Sequence, residues 1–127
     1  MLKGIHHIAI ICADYQRSKD FYTEILGLEL LREAYREERR SWKADLALNG
    51  VYVVELFSFP DPPERVSGPE ACGLRHFAFQ VSDMEQAVAK LAQHGIETEP
   101  VRVDPYTGKR FTFFQDPDKL PIEIYEE

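Results

Sequence analysis

Gly4-Ile5-His6-His7-Ile8-Ala9-Ile10, near the start of the chain, returns in its second half as Gly73-Leu74-Arg75-His76-Phe77-Ala78-Phe79. Each stretch has the alternation of a strand and carries a His at the same place. An Asp-led helical pattern follows each. Each half then closes on a strand with one Glu among apolar residues, Val54-Glu55-Leu56 and Ile122-Glu123-Ile124. His76 follows His7, and Glu123 follows Glu55, at nearly the same interval of about 69 residues. A period of half the chain implies an internal duplication that brings two His and two Glu to equivalent places. Four ligand-type side chains related by such a repeat suggest one metal centre.

The first module reads as strand, helix and three strands. Gly4 to Cys12 is extended. Asp14 caps a helix from Tyr15 to Leu26 that stops at Gly27, and Tyr15, Phe21, Tyr22, Ile25 and Leu26 give it one apolar face. Extended runs follow at Leu28 to Tyr35, Trp42 to Leu48 and Val51 to Phe59, with Asn49-Gly50 as a two-residue hairpin signal and Arg36 to Arg40 as a solvated loop. Pro60, Pro62, Pro63, Gly68, Pro69 and Gly73 then give the composition of a linker. The second module repeats the order. A strand spans Leu74 to Val81, and a helix spans Met84 to His94 with Asp83 as its cap and Gln86 in the capping-box position. Strands follow near Glu99 to Val103, Arg110 to Gln115 and Pro121 to Tyr125. The expectation is an α+β fold of two βαβββ modules in tandem. One domain covers 1–127, with module one at about 1–60, the linker at about 60–73 and module two at about 73–127.

Composition bounds the function. A chain of 127 residues that is 44% hydrophobic and 12% aromatic folds as a globule and is not disordered. A formal net charge of −7 argues against nucleic acid or an anionic membrane as the main partner. No apolar run reaches the roughly 20 residues of a membrane span, and no cleavable leader is apparent. Two cysteines, Cys12 and Cys72, are too few for a disulfide scaffold; they read as small buried apolar residues in a reducing, cytoplasmic protein.

Strand alternation sorts the side chains. His7, Ala9 and Ile11 share one face of the first strand, and His76, Ala78 and Gln80 share the matching face of its copy. Val54 and Leu56 leave Glu55 on the opposite side, as Ile122 and Ile124 leave Glu123. The apolar faces are expected to pack on the helices, with the sheets curved around a cup into which His7, Glu55, His76 and Glu123 project. Two carboxylates in a partly apolar space repel one another and are costly to desolvate, and a divalent cation removes that cost. Two N and two O ligands suit Ni, Zn, Co, Mn or Fe(II) better than Ca or Mg, and four ligands leave open positions of the catalytic kind. A lone strand His is ordinarily a surface or hydrogen-bonded residue. In-register recurrence with a Glu separates His7 and His76 from His6 and His94, which read as surface residues.

These residues resemble the vicinal oxygen chelate superfamily, and most of all glyoxalase I (lactoylglutathione lyase) together with its small stand-alone bacterial relatives. The likeness spans the whole chain. It rests on His7, Asp14-Tyr15-Gln16-Arg17-Ser18, Phe21-Tyr22, Leu26-Gly27-Leu28, Val54-Glu55-Leu56, His76-Phe77-Ala78-Phe79, Asp116-Pro117-Asp118 and Ile122-Glu123. By resemblance the metal ligands are His7, Glu55, His76 and Glu123. Glu123, with Glu55, is then a catalytic carboxylate that moves a proton through a metal-stabilised enediolate. The resemblance also implies a small-molecule substrate and a homodimer, with the site formed within one chain or by modules exchanged between chains. Two positions depart from glyoxalase I: Ile11 stands where an Arg, and Phe59 where an Asn, would bind glutathione. Both changes argue against glutathione as part of the substrate. Arg75, Lys109 and Arg110 are candidates for holding an anionic substrate, and Tyr106 and Trp42 for lining the cavity. The alternatives are an extradiol-type dioxygenase with Fe(II) on His7, His76 and Glu123, and a non-catalytic small-molecule-binding protein.

Overall fold

A computed structural model describes residues 1–127 and divides them into two compact units, Met1–Glu64 and Arg65–Glu127. The first contains β1 (Ile8–Cys12), α1 (Tyr15–Asp20), β2 (Glu29–Arg36), β3 (Ser41–Leu48) and β4 (Val51–Ser58). The second contains β5 (Phe77–Val81), α2 (Met84–Gln93), β6 (Arg102–Val103), β7 (Arg110–Gln115) and β8 (Pro121–Glu126). Each unit is therefore βαβββ, and the expected tandem α+β fold is present. The sheets are four-stranded and mixed, in the orders β1-β4-β3-β2 and β5-β8-β7-β6. In both, the first and last strands pair in parallel and the remaining ladders are antiparallel.

The helices start where the sequence places them. Asp14 accepts from the Arg17 amide at 3.1 Å and Asp83 from the Gln86 amide at 2.9 Å, satisfying orphan donors of the first turn. α1 departs from a regular helix: Phe21–Ile25 forms a π-helical turn. Thr23 contributes to this, because its hydroxyl donates to the Lys19 carbonyl at 2.7 Å and competes with the regular ladder. The helix is tied to β2 through Glu33, which accepts from Lys19 at 2.8 Å and from the Tyr15 phenol.

The expected strands are shortened for local reasons. β5 begins at Phe77, opposite Ile122, because the preceding residue of β8 is Pro121, which has no N–H to extend a ladder. β1 begins at Ile8 opposite Val54, next to an irregularity at Val53. β6 is reduced to Arg102–Val103 because Pro100 interrupts the run that starts at Glu99. Asn49 and Gly50 both have positive φ, 51° and 79°, as a tight primed turn between β3 and β4 requires.

One face of each sheet packs under its helix, α1 on β4 and α2 on β8. Ile10, Cys12, Tyr22, Ala44, Leu46, Val54 and Leu56 are buried in the first unit, and Met84, Leu91, Phe114, Ile122 and Ile124 in the second. Cys12 thus behaves as the expected small core residue, whereas Cys72 is exposed in the Pro- and Gly-rich segment. Replacing Asp83 with Ala is expected to destabilise the protein by about 1 kcal/mol, read as a lower urea midpoint, while Asp83→Asn retains most of the stability.

Candidate functional site

Register sets the site. In the parallel ladder of the first unit Ala9 is the partner of Glu55, and in the second Ala78 is the partner of Glu123. His7 and His76 each lie two residues earlier, on the same face as that Ala. Each imidazole therefore meets the Glu of its own unit: His7 Nε2 lies 3.7 Å from Glu55 Oε1, and His76 Nε2 lies 3.0 Å from Glu123 Oε2. Both carboxylates are largely covered. Two atoms bound to one ion at ~2.1 Å each are separated by about 3.0 to 3.4 Å; the His76–Glu123 spacing of 3.0 Å falls in that range, and the His7–Glu55 spacing of 3.7 Å lies a few tenths of an ångström beyond it. No group of three or more His, Cys, Asp or Glu side chains that could hold a metal gathers within either unit; in each, one His stands beside one Glu.

The other imidazole nitrogen is held in both cases. His7 Nδ1 lies 2.8 Å from His6 Nδ1, and the Arg75 guanidinium approaches His76 Nδ1 at 3.3 Å. His6 is exposed and hydrogen-bonded, as the sequence suggests, with its partner being His7 itself. Tyr52 stands beside both rings, with centroids 5.2 and 5.0 Å away, and Phe113 meets His76 edge-on at 5.1 Å.

The surroundings of the two Glu differ. Glu55 Oε2 accepts from the Tyr52 phenol at 3.1 Å and pairs with Lys43 at 3.4 Å. Asp45 stands directly opposite Glu55 across the β3–β4 ladder and is 1% exposed. Its carboxylate accepts from Tyr52 at 2.7 Å, Lys43 at 3.0 Å and Arg32 at 2.8 Å. Burial alone would raise the Asp45 carboxyl. The Tyr52, Arg32 and Lys43 hydrogen bonds and the Lys43 charge prevail and bring it down to about 2. The Tyr52 phenol is pushed well above its usual range, by burial first and then by Asp45 and Glu55, so it remains a donor. Across the corresponding β7–β8 ladder, Glu123 faces Phe113. It has His76 as its close polar partner and no phenol or ammonium like those on Glu55.

Asp45, Lys43, Tyr52 and Arg32 were absent from the sequence reading. Alternation in Trp42-Lys43-Ala44-Asp45-Leu46 does place Lys43 and Asp45 on the face away from the core. It gives no sign of the bulge that sets Asp45 opposite Glu55 and turns Tyr52 to the same side. Other expectations are corrected. Trp42 shares a face with Ala44 and Leu46 and stacks on Tyr15 of α1, at 5.1 Å and 9°, so it does not line the His7 face. Arg110 lies on the helix side with Thr112 and Phe114 and is consumed by Glu85 and Glu126. Lys109 donates to the Glu127 carbonyl, Arg75 pairs with Glu70, and Tyr106 projects from a turn, almost fully exposed. Ile11 lies on the His7 face and is 56% exposed, leaving no donor where an Arg would bind glutathione.

Comparison with known proteins agrees with this frame. The family model of the glyoxalase/bleomycin resistance protein/dioxygenase superfamily matches residues 4–124. The chain belongs to this superfamily. Among related superfamily members, the YaeR protein of Escherichia coli (strain K12) is 66% identical over 99% of this chain and 98% of its own length. The crystal structure of a glyoxalase family protein from Enterococcus faecalis superposes with a TM-score of 0.90 and is 52% identical, covering 98% of each chain. Lactoylglutathione lyase of Escherichia coli O157:H7 is 32% identical over 95% of this chain and 90% of its own length.

The Asp45 network carries a pH signature. Because its folded-state value lies below the ordinary 3.8, the stability it confers is complete above that value and is lost as pH falls toward about 2. Asp45→Asn is expected to lose roughly 2 kcal/mol at neutral pH, leaving Arg32 and Lys43 without their carboxylate. Denaturant melts across the acid range should show a shallower decline than in the parent protein.

Proposed function

We propose that the protein is a metal-dependent enzyme of the glyoxalase I type. It acts as a lyase or isomerase on a small oxygenated substrate without a requirement for glutathione. His7, Glu55, His76 and Glu123 are the proposed metal ligands, with Ni, Zn, Co, Mn or Fe(II) as the class of ion. The carrying observation is the register identity of the two units, each of which sets one imidazole Nε2 beside one carboxylate oxygen, at 3.7 Å in the first and 3.0 Å in the second. A divalent ion held by these residues would supply Lewis acidity to an oxygen-bearing substrate.

The residues divide the remaining work. Glu123 is the proposed proton carrier, because its carboxylate keeps an oxygen clear of the phenol and ammonium that occupy Glu55. It takes a proton from one carbon and returns it to the neighbouring one. Glu55, fixed by Tyr52 and Lys43, is the proposed ligand that keeps its place during turnover. Phe113 and Tyr52 flank the imidazoles and limit water beside them. The absence of donors at Ile11 and Phe59 supports a substrate other than a glutathione adduct. Superfamily proteins typically act as dimers on small molecules. A homodimer in a reducing, cytoplasmic setting suits two cysteines that form no disulfide. No helix is long and apolar enough to cross a membrane.

The partners of Glu55 favour one second reading. A carboxylate already engaged by Lys43 and Tyr52 suits a three-ligand Fe(II) site on His7, His76 and Glu123, as in extradiol dioxygenases. Oxygen consumption with catechols by the iron-loaded protein would select it. The glyoxalase-type reading predicts stoichiometric binding of added Ni or Mn that is lost in His76→Ala. It also predicts that Glu123→Gln slows solvent proton exchange into a bound substrate by at least about 100-fold. Unchanged exchange would remove Glu123 as the base.

A further inference from the structure

The cations of the first unit fall into two groups. Lys19 is matched by Glu33, and Arg32 and Lys43 by Asp45 and Glu55. Arg36 and Arg39, like Lys3, Arg17 and Arg40, have no carboxylate partner, although the chain carries a net charge of −7; Arg36 and Arg39 are the ones set against aromatic rings. Arg36, the last residue of β2, lies on the same face as Arg32, Ala34 and Lys43. Its guanidinium carbon sits 4.8 Å from the Phe57 ring centroid and 5.8 Å from that of Phe59, while the Arg39 guanidinium is 5.3 Å from Phe59. The two rings are 5.8 Å apart and nearly parallel. Arg36 donates to the Ser41 hydroxyl at 3.0 Å, and its Nε–H is buried without any hydrogen-bond partner. A guanidinium that is partly desolvated, stacked on aromatic rings and missing a counter-ion is held ready for one. With Nη2 donating to Ser41 and Nε buried, the N–H groups of Nη1 are the ones that remain for an oxyanion.

The position relates this charge to the proposed chemistry. Phe57 is two residues beyond Glu55 on β4, about 7 Å along the strand, and pairs with Ile11 of β1 and Lys43 of β3. The row between Glu55 and Arg36 is therefore Ala34, Lys43, Phe57 and Ile11, with the Lys43 ammonium drawn to Asp45 and Glu55 and the Phe57 ring left as the apolar surface beside it. We propose that Arg36, on its Phe57–Phe59 shelf, anchors an oxyanion at the end of the substrate remote from the reacting oxygens. The substrate class is a short molecule with two adjacent oxygens at one end, an apolar middle and a carboxylate or phosphate tail. This rests on the reading of His7 and Glu55 as part of the reacting end. It assigns to Arg36 the anion recognition that sequence alone assigned to Arg75, Lys109 and Arg110.

The test uses the Ni- or Mn-loaded protein and titration calorimetry. The probes are 2-oxoglutarate and 2-oxoadipate, their methyl-tailed counterparts 2-oxopentanoate and 2-oxohexanoate, and a phosphonate-tailed 2-oxo acid. The parent protein is expected to bind an anionic-tailed probe roughly tenfold more tightly than the methyl-tailed probe of equal length. The tail that gains more identifies the oxyanion. Arg36→Gln should abolish that preference and leave methyl-tailed binding unchanged, while Arg36→Lys, which keeps the charge without the planar fork, should restore only part of it. A preference that survives Arg36→Gln, or is absent from the parent, overturns the proposal. Failure of the metal reading is separately visible, since methyl-tailed probes would then bind equally well to chelator-treated protein. A second readout needs neither metal nor variant: the guanidinium ¹⁵N resonances of Arg36 should move on titration with glutarate or inorganic phosphate alone. Resonances unmoved by both anions would likewise overturn the proposal.

Discussion

The parallel pairing of the first and last strands of each unit is the constraint on which the site depends. It sets Ala9 beside Glu55 and Ala78 beside Glu123, so the imidazole two residues earlier must meet that carboxylate. A parallel pair cannot be closed by a tight turn and needs a long crossover. The helix in that crossover covers the opposite face, where Ile10, Cys12, Val54, Leu56, Ile122 and Ile124 are buried. The same alternation that makes the core apolar therefore gathers His and Glu on the uncovered side. Shifting either strand by one residue would bury the Glu under the helix and expose the core. Packing energy thus holds the donor geometry without any contribution from a ligand.

A second constraint is the bulge in β4. A regular ladder running down from the Asn49-Gly50 turn would set Glu55 against Ala44. The irregularity at Val53 moves the register by one residue, so Glu55 faces Asp45 and Tyr52 joins them. One extra residue converts a carboxylate on a bare strand into part of a network with a buried anion, a phenol and two cations. The pleat beyond the bulge is intact, so Val54 and Leu56 remain in the core.

These two constraints explain what was legible in the sequence. The βαβββ order, both N-caps, the hairpin turn and the facing of His7, Glu55, His76 and Glu123 follow from periodicity and repetition, and the structure carries each of them. The Asp45–Tyr52–Lys43 network was not legible, because a bulge has no marker in Tyr52-Val53-Val54. The strand starts at Ile8 and Phe77 were misjudged because apolar alternation continues past the point where ladder partners end. Trp42 and Arg110 are a different case. Their parity with Ala44 and Thr112 assigns them to the helix side, so alternation alone excludes them from the open face.

The duplication has kept its donors and changed their neighbours. Asp45 in the first unit corresponds to Phe113 in the second, each being the antiparallel partner of the Glu, and Lys43 corresponds to Phe111, each lying one pleat farther along. The first sheet thus presents cations and a buried carboxylate beside its Glu, whereas the second presents a row of aromatic rings. Symmetric surroundings would give two carboxylates of like behaviour. A reaction that moves a proton while holding a charged ligand in place needs two that behave differently. The divergence would supply that difference for the proposed reaction with the strand frame untouched, because Asp45, Lys43, Phe111 and Phe113 all lie on faces that the core does not use. Selection on such positions can change the charge around the two carboxylates without repacking Leu46, Val54, Ile122 or Ile124, which keep His7, Glu55, His76 and Glu123 in register.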